Sequence, residues 1–169
     1  MIDEAAPTST EVSAAMTSLW RDFAPELTRF ATVLVGPHDA GDITTEAFLR
    51  CTDQFGHSHV DNPRAYLFRA VTNAAHDLGR QRARRWSRDI AAAASIPVAA
   101  TDGNEPTDAV DPAVVSAVAE LSVRQRSIVY LAYWEDMTEK SIAELLGLHP
   151  GTVRRHLHRA HTHLRKALQ

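Results

Sequence analysis

Hydrophobic positions recur at intervals of three and four residues along most of this 169-residue chain, which is the spacing of helices that bury one face. In the N-terminal half the pattern predicts three helices, over about residues 11–35, 39–54 and 63–85. Pro25 lies inside the first, so we expect that helix to kink or restart there. A loop over 55–62 separates the second helix from the third. Strand-like alternation is short everywhere, so the pattern favours an all-α fold.

The C-terminal half contains a second series of helix signals. Ser122 is followed three residues later by Gln125, the spacing of a capping box, which predicts a helix beginning at residue 123. Thr138 is placed to cap the next short helix, and Gly147 to end it. Pro150 suits the first turn of the last helix. Two short helices joined by a tight turn predict a helix-turn-helix.

The last predicted helix has one apolar stripe and one cationic face. The stripe consists of Val153, Leu157, Ala160, Leu164 and Leu168. The other face carries Arg154, Arg155, His158, Arg159, His161, Thr162, Arg165 and Lys166. Such a helix can dock on its own domain and still offer donors to phosphates and to base edges in a major groove. A structural hairpin that happens to be basic is the alternative, and the clustering of cations opposite the stripe favours DNA binding.

The segment 89–111 marks the boundary between two parts of the chain. It contains small residues, Pro, Gly and acids, with little to bury, and is typical of a flexible linker. We therefore expect two small helical domains, residues 11–88 and 112–169, joined by this acidic linker. Residues 1–10 are expected to be disordered.

Charge is segregated along the chain although the net charge is only -3. Residues 63–88 hold seven arginines against one aspartate, and residues 139–169 hold six bases against two acids. The linker between them has five acids and no base. Two cationic blocks separated by an acidic one predict two DNA contacts on a protein whose other surfaces repel DNA.

Motif content argues against several other classes of protein. The single cysteine, Cys51, excludes an internal disulfide framework, and its place on an apolar helix face predicts a core residue and not a nucleophile. The N-terminus lacks the features of a signal peptide, and no window has the length of a membrane span. Phosphate-cradling glycine loops, GxSxG and HExxH are all missing. We expect no enzymatic activity and no cofactor.

The nine histidines raise the question of a metal site. His57 and His59 with Asp61 could ligate a metal. Five more histidines lie between residues 149 and 163, but no carboxylate or thiolate completes a site there. We interpret the histidines as hydrogen-bond donors to DNA or solvent, and expect no metal.

Long segments of the chain resemble a known family. The resemblance to region 4 of bacterial sigma factors of the extracytoplasmic-function group lies in LSVRQRSIVYLAYWEDMTEKSIAELLGLHPGTVRRHLHRAHTHLRKAL. The resemblance to region 2 lies in LWRDFAPELTRFATVLVGPHDAGDITTEAFLRCTDQF and NPRAYLFRAVTNAAHDLGRQRARR. Together they cover most of residues 19–168 in the right order, without the middle domain of primary sigma factors. The resemblance implies a cytoplasmic factor that directs core RNA polymerase to a promoter set and helps to open it.

A polymerase contact on the second helix is implied by this resemblance. Asp39, Asp42 and Glu46 form an acidic stripe, and Asp42 and Glu46 match the positions with which the family contacts the clamp helices of the β′ subunit. Thr45 stands where Gln is usual. From the residues alone, a solvated surface or a metal site would also fit. The resemblance further implies a contact with the β flap and an anti-sigma protein that covers both domains.

Two DNA contacts are implied as well. The arginine-rich helix and the loop before it would hold the opened minus-ten element, through His57, Ser58, His59, Asn62, Asn73, His76, Arg80, Arg82, Arg84 and Arg85. The last helix would read the minus-thirty-five element in the major groove, through Thr152, Arg154, Arg155, His158, Arg159 and Thr162. His156 and His161 stand where Arg is common, so we expect a weaker and more pH-dependent phosphate contact.

Two other functions are compatible with the pattern. One is a helix-turn-helix regulator whose helical N-terminal domain senses a ligand or partner. The other is an adaptor that sequesters polymerase without initiating. The basic helix over 73–88 favours the sigma factor, because a ligand sensor has no use for it.

Overall fold

The computed structural model describes residues 9–57, 60–92 and 111–169. Over these ranges the chain forms seven helices and no strand, which confirms the all-α prediction. The helices are α1 (Ser9–Val35), α2 (Pro37–His57), α3 (Pro63–Ala92), α4 (Pro112–Ala119), α5 (Val123–Tyr133), α6 (Glu139–Leu146) and α7 (Pro150–Ala167). None of the helices in the described ranges is both long and apolar enough to cross a membrane.

The first helix is longer and more regular than the pattern predicts. It begins at Ser9, inside the segment expected to be disordered, and it continues through Pro25 without a restart. Residues on both sides of Pro25 pack on the same core, Phe23 before it and Leu27 after it, and this packing outweighs the hydrogen bond that proline removes. Gly36, with φ of +88°, ends the helix.

The second and third helices also extend beyond their predicted ends. The sequence predicts α2 to stop near residue 54 and α3 near residue 85, whereas they end at His57 and Ala92. Beyond residue 78 the α3 sequence is rich in Arg, Gln and Ala, which are strong helix formers and need no buried face to remain helical. The predicted linker therefore contributes its first four residues to α3, and residues 93–110 lie outside the described ranges.

The turn signals of the C-terminal half are confirmed one by one. Ser122 and Gln125 form a complete capping box at the start of α5. The Thr138 hydroxyl accepts from the Ser141 backbone N–H at 3.1 Å, and Gly147 ends α6 with φ of +65°. Pro150 occupies the first turn of α7. These local bonds satisfy backbone groups that helix ends leave free, so the helix-turn-helix has well-defined boundaries.

The helices of the two halves pack on one another and share one hydrophobic core. Phe30 of α1 is fully buried. Its ring centroid lies 4.8 Å from that of Phe68 in α3 and 5.3 Å from that of Tyr130 in α5. Val153 of α7 belongs to the same buried cluster. The division into two domains stays a prediction from the sequence, and in this arrangement the two groups of helices form a continuous interior.

A cluster of polar groups lies at the edge of this junction, centred on Arg64. Its guanidinium donates to the Glu26 carboxylate of α1, with Nε 3.0 Å from Oε1, and to Oε2 of Glu135 at 3.3 Å. The same guanidinium lies 4.7 Å from the Phe68 ring centroid, a cation–π distance. The Tyr130 hydroxyl donates to the other oxygen of Glu135 at 3.2 Å. Arg64 thus links α1, α3 and the end of α5.

Candidate nucleic-acid and polymerase interfaces

The position of α7 is determined by the apolar stripe that the sequence predicts. Val153 and Ala160 are fully buried, and Leu157 and Leu164 are packed against the core clusters. Leu168, the last residue of the stripe, lies beyond the end of α7 and is 47% exposed. The stripe therefore orients the first four turns of α7, with the opposite face turned to solvent.

The exposed face of α7 carries most of the residues predicted to contact the minus-thirty-five element. Arg154, Arg155, His158, Arg159 and Thr162 are exposed, and Thr152 is half-buried. The Thr162 hydroxyl donates to the His158 carbonyl at 2.9 Å. Arg154 donates through Nε to Oε2 of Glu139 in α6 at 3.0 Å. The predicted set thus lies on one side of the helix-turn-helix, where a DNA groove could reach it.

The histidines of α7 have different environments. His156 is half-buried, and burial, followed by the positive charges of Arg155, Arg124 and Arg159, lowers its pKa from 6.5. It is therefore neutral near pH 7 and does not lie on the exposed cationic face. His161 is exposed and is hydrogen-bonded to the Tyr133 hydroxyl. In the described part of the chain, no three His, Cys, Asp or Glu side chains are close enough to hold a metal ion.

The second cationic surface lies on α3. Asn73, His76 and Arg80 are exposed and follow one another at three- and four-residue spacing, so they line one face of the helix. Arg80 pairs with Asp77 at 2.6 Å, and Arg82 pairs with Asp39 at 2.6 Å. Arg84 is exposed. Of the other predicted minus-ten residues, Ser58, His59 and the side chains of His57 and Arg85 lie outside the described part.

Asn62 has a structural role that the sequence interpretation missed. Its side-chain oxygen accepts from the Ala65 backbone N–H at 2.9 Å, an N-cap bond at the start of α3. The Asn-Pro-Arg-Ala order, with proline in the first helical position, is the signal that could have revealed it. This bond uses one of the two acceptor sites of the side-chain oxygen, and the Asn62 amide N–H groups remain available to a base.

The acidic helix α2 presents part of the predicted stripe to solvent. Asp42, Thr45 and Glu46 are exposed, and Glu46 pairs with Arg50 one turn away at 2.5 Å. Asp39 is set apart, because Arg82 of α3 covers it and leaves its side chain 21% exposed. Leu49, which the sequence pattern does not single out, is 60% exposed. Leu49 follows Asp42, Thr45 and Glu46 at helical spacing, so an apolar side chain belongs to the acidic face.

Cys51 lies in the core, as predicted. It is 1% exposed, and burial raises the pKa of its thiol to about 11. A thiol with so high a pKa stays protonated at neutral pH and is a poor nucleophile.

The fold and these surfaces define a class of protein. Helix α6, the turn at Gly147 and helix α7 form a helix-turn-helix, and α7 buries one stripe while it exposes cations on the other side, which are the features of a helix-turn-helix DNA-binding protein. A second group of exposed arginines, Arg80, Arg82 and Arg84 on α3, sets it apart from a simple repressor.

Comparisons with known proteins identify the family. The family model described as "Sigma-70 region 2" matches residues 19–85, and "Sigma-70, region 4" matches residues 112–164. The RNA polymerase sigma-E factor of Streptomyces avermitilis is 31% identical over 134 residues, covering 79% of this chain and 73% of that protein. The ECF RNA polymerase sigma factor SigL of Mycobacterium tuberculosis is 30% identical over 168 residues, covering 93% and 90%.

A solved structure agrees with the fold. The sigma factor RpoE of Bartonella quintana, determined in complex with the anti-sigma factor NepR, matches with a TM-score of 0.66 at 22% identity, over 91% of this chain and 96% of that one. The chain belongs to the sigma-70 family of RNA polymerase sigma factors and is of the extracytoplasmic-function type. It directs core RNA polymerase to promoters. A regulator with a ligand-sensing N-terminal domain is not favoured, because residues 19–85 match region 2.

Proposed function

We propose that the exposed acidic face of α2 anchors this sigma factor to the polymerase β′ clamp helices. The face consists of Asp42, Thr45 and Glu46, with Leu49 beside them. Carboxylates fix the position of a basic partner on the helix and increase the rate of association with it. An exposed leucine adds an apolar contact, which charge alone does not provide. The carboxylate of Asp39 is already paired with Arg82 of α3. Its contribution to the polymerase contact is therefore indirect.

The minus-ten element is held by α3 and the loop before it. Asn73, His76 and Arg80 form one exposed row, in which the Asn73 amide can bind a base edge and the Arg80 guanidinium can contact a phosphate. Arg82 and Arg84 are exposed further along the helix, and Arg85, which follows them in the sequence, is assigned to the same contact. Opening the duplex costs unstacking energy, and contacts to the single strand offset it.

The minus-thirty-five element is read by α7 in the major groove. Arg155, His158 and Arg159 are exposed on consecutive turns, where donors can reach base edges and phosphates. The helix-turn-helix domain also contacts the β flap, and the acidic linker follows the polymerase's RNA path, since its charge disfavours DNA.

Regulation by an anti-sigma protein is part of this proposal, because the Bartonella quintana sigma factor was solved in complex with an anti-sigma factor. In the present chain we expect that partner to cover both halves. The protein acts in the cytoplasm beside the polymerase and catalyses no reaction of its own. The observation that supports the proposal most directly is that two helices of one chain present exposed arginines, which are Arg80, Arg82 and Arg84 on α3 and Arg154, Arg155 and Arg159 on α7.

Run-off transcription with purified core polymerase and a promoter library tests the proposal. The full chain should yield start-site-specific transcripts, while an adaptor that only sequesters polymerase would yield none. Arg155→Ala should change base preference at the upstream element, and Arg84→Ala should weaken binding on all sequences and reduce the salt slope by about one. Lys140→Ala, at an exposed position on α6, is the control. If Arg155→Ala and Arg84→Ala have the same effect, the proposed division of roles is wrong.

The polymerase contact has its own test. Glu46→Lys reverses a charge on the α2 face, and Glu144→Lys reverses one on exposed α6. The first should weaken binding to core polymerase and the second should leave it unchanged. Equal affinity of both variants for the core would contradict the proposed anchor.

A further inference from the structure

We propose that Glu139 is a positioning residue that sets the base preference of Arg154. The inference rests on the proposed role of α7 at the minus-thirty-five element and adds a residue to it. Glu139 is the first residue of α6, the helix before the recognition helix. Because DNA phosphates repel a carboxylate, the residue type alone does not predict a place for it on a DNA-binding surface.

The contact between the two side chains leaves the reading end of the arginine free. Arg154 donates through Nε to Oε2 of Glu139 at 3.0 Å. A guanidinium has five N–H donors in a planar fork, so the two Nη groups remain available. A pair of parallel N–H donors matches O6 and N7 of guanine, the most frequent specific contact of arginine in a major groove. The Arg154 side chain is 76% exposed, so its head reaches beyond the protein surface.

Local contacts fix the backbone at both residues. Glu139 follows the N-cap residue Thr138, whose hydroxyl accepts from the backbone of Ser141. Arg154 follows Val153, which is fully buried. The two helix starts therefore hold the carboxylate and the arginine side by side before DNA arrives. A side chain ordered in advance loses less conformational freedom on binding, and its orientation is more selective.

Arg154 differs in this respect from the other cations of its helix. Within the described residues, Arg155, Arg159, Arg165 and Lys166 have no carboxylate partner. A carboxylate next to DNA repels phosphates and lowers overall affinity. The Glu139 carboxylate lies beside Arg154 only, which fits a role in discrimination between bases. Such discrimination depends on repulsive as well as attractive contacts.

The test measures base preference with the complete holoenzyme. Promoter DNA with a randomised minus-thirty-five element is selected with core polymerase and the wild type, Arg154→Ala, Glu139→Ala, or both changes. Arg154→Ala should reduce a guanine preference at one position about tenfold. Glu139→Ala should reduce the same preference about two- to fivefold, the range expected for an exposed ion pair. It should not weaken binding to unrelated DNA.

Two further variants separate positioning from folding. Glu139→Gln keeps an acceptor for the Arg154 Nε–H and should retain part of the preference. Glu144→Gln removes a carboxylate of α6 that lies 4.0 Å from Lys140 and should change nothing. In the double variant the preference should equal that of Arg154→Ala alone, because Glu139 acts only through Arg154.

Several results would overturn the inference. The inference fails if Glu139→Ala leaves the preference intact, changes it at a position that Arg154 does not read, or weakens binding to all sequences alike. The second result would mean that Glu139 contacts a base itself. If Arg154→Ala and Arg155→Ala both leave selection unaltered, the proposed role of α7 fails together with this inference. If Arg154→Ala alters selection and Glu139→Ala does not, only this inference fails.

Discussion

Replacement of Phe30 by alanine tests whether the two halves of the molecule share one core. The Phe30 side chain is fully buried, between Phe68 of the N-terminal half and Tyr130 of the C-terminal half. Truncation of a buried phenylalanine costs about 3–5 kcal/mol. At about 2–4 °C per kcal/mol for a chain of this size, the thermal midpoint should fall by roughly 6–20 °C.

The assay follows both halves at once. Far-UV circular dichroism reports all helices, and the fluorescence of Trp134, whose ring stacks on Tyr130 at 6.2 Å, reports the C-terminal half in a background with Trp20→Phe and Trp86→Phe. Both midpoints should fall together, because Phe30 contributes to one interior. Leu49→Ala, at a residue 60% exposed, should change stability by less than about 0.5 kcal/mol.

A specific pattern would refute this reasoning. If Phe30→Ala lowers the midpoint measured by circular dichroism while the Trp134 transition stays in place, the halves unfold independently. The continuous interior would then not describe the protein in solution.

The remaining predictions concern single groups. The pKa of His156 is lowered in the fold, so the unfolded chain binds a proton at this residue more readily, and the stability of the fold should decrease as the pH drops below about 6.5. In thermal melts at pH 5.5 and 7.5, His156→Gln should weaken this pH dependence. An equal dependence in the wild type and the variant would contradict the environment assigned to His156. The Cys51 thiol, buried and with its pKa raised to about 11, should react with a thiol reagent only upon unfolding; rapid reaction of the native protein at pH 8 would show that it is accessible. Arg64→Ala should lower the free energy of unfolding by about 1–3 kcal/mol, because the carboxylates of Glu26 and Glu135 would lose their partner. In a double-mutant cycle measured by urea unfolding, Arg64→Ala and Glu26→Ala should be non-additive, and additivity would show that the pair contributes no coupling.

The features that the sequence predicts well are the local ones. The bonds of Ser122, Thr138 and Gly147 depend on residues within one helical turn, so their chemistry can be recognised without knowledge of the fold. The stripe of α7 is nearly as local, and it fails only at Leu168, where the helix has already ended. Features that depend on packing or on composition are harder to predict. Two examples are the unbroken course of α1 through Pro25 and the extension of α3 to Ala92.

Contacts between distant elements could not be predicted from the pattern. An apolar face indicates that Phe30 is buried, but not that its neighbours include Tyr130, one hundred residues later. The pairs Asp39–Arg82 and Glu139–Arg154 depend on how two helices cross. The sequence therefore places Asp39 in an acidic stripe without its partner Arg82, and it assigns no role to Glu139.

The shared interior also bears on how the chain is made. The ribosome completes α1, α2 and α3 before it begins α5, and roughly 60 residues separate Phe68 from Tyr130. At about 5–20 residues per second, their synthesis takes roughly 3–12 s. During that interval the nascent helices expose the aromatic surface that Tyr130 later covers, and such surfaces attract chaperones and promote aggregation. Translation speed across the intervening segment should therefore influence the yield of soluble protein.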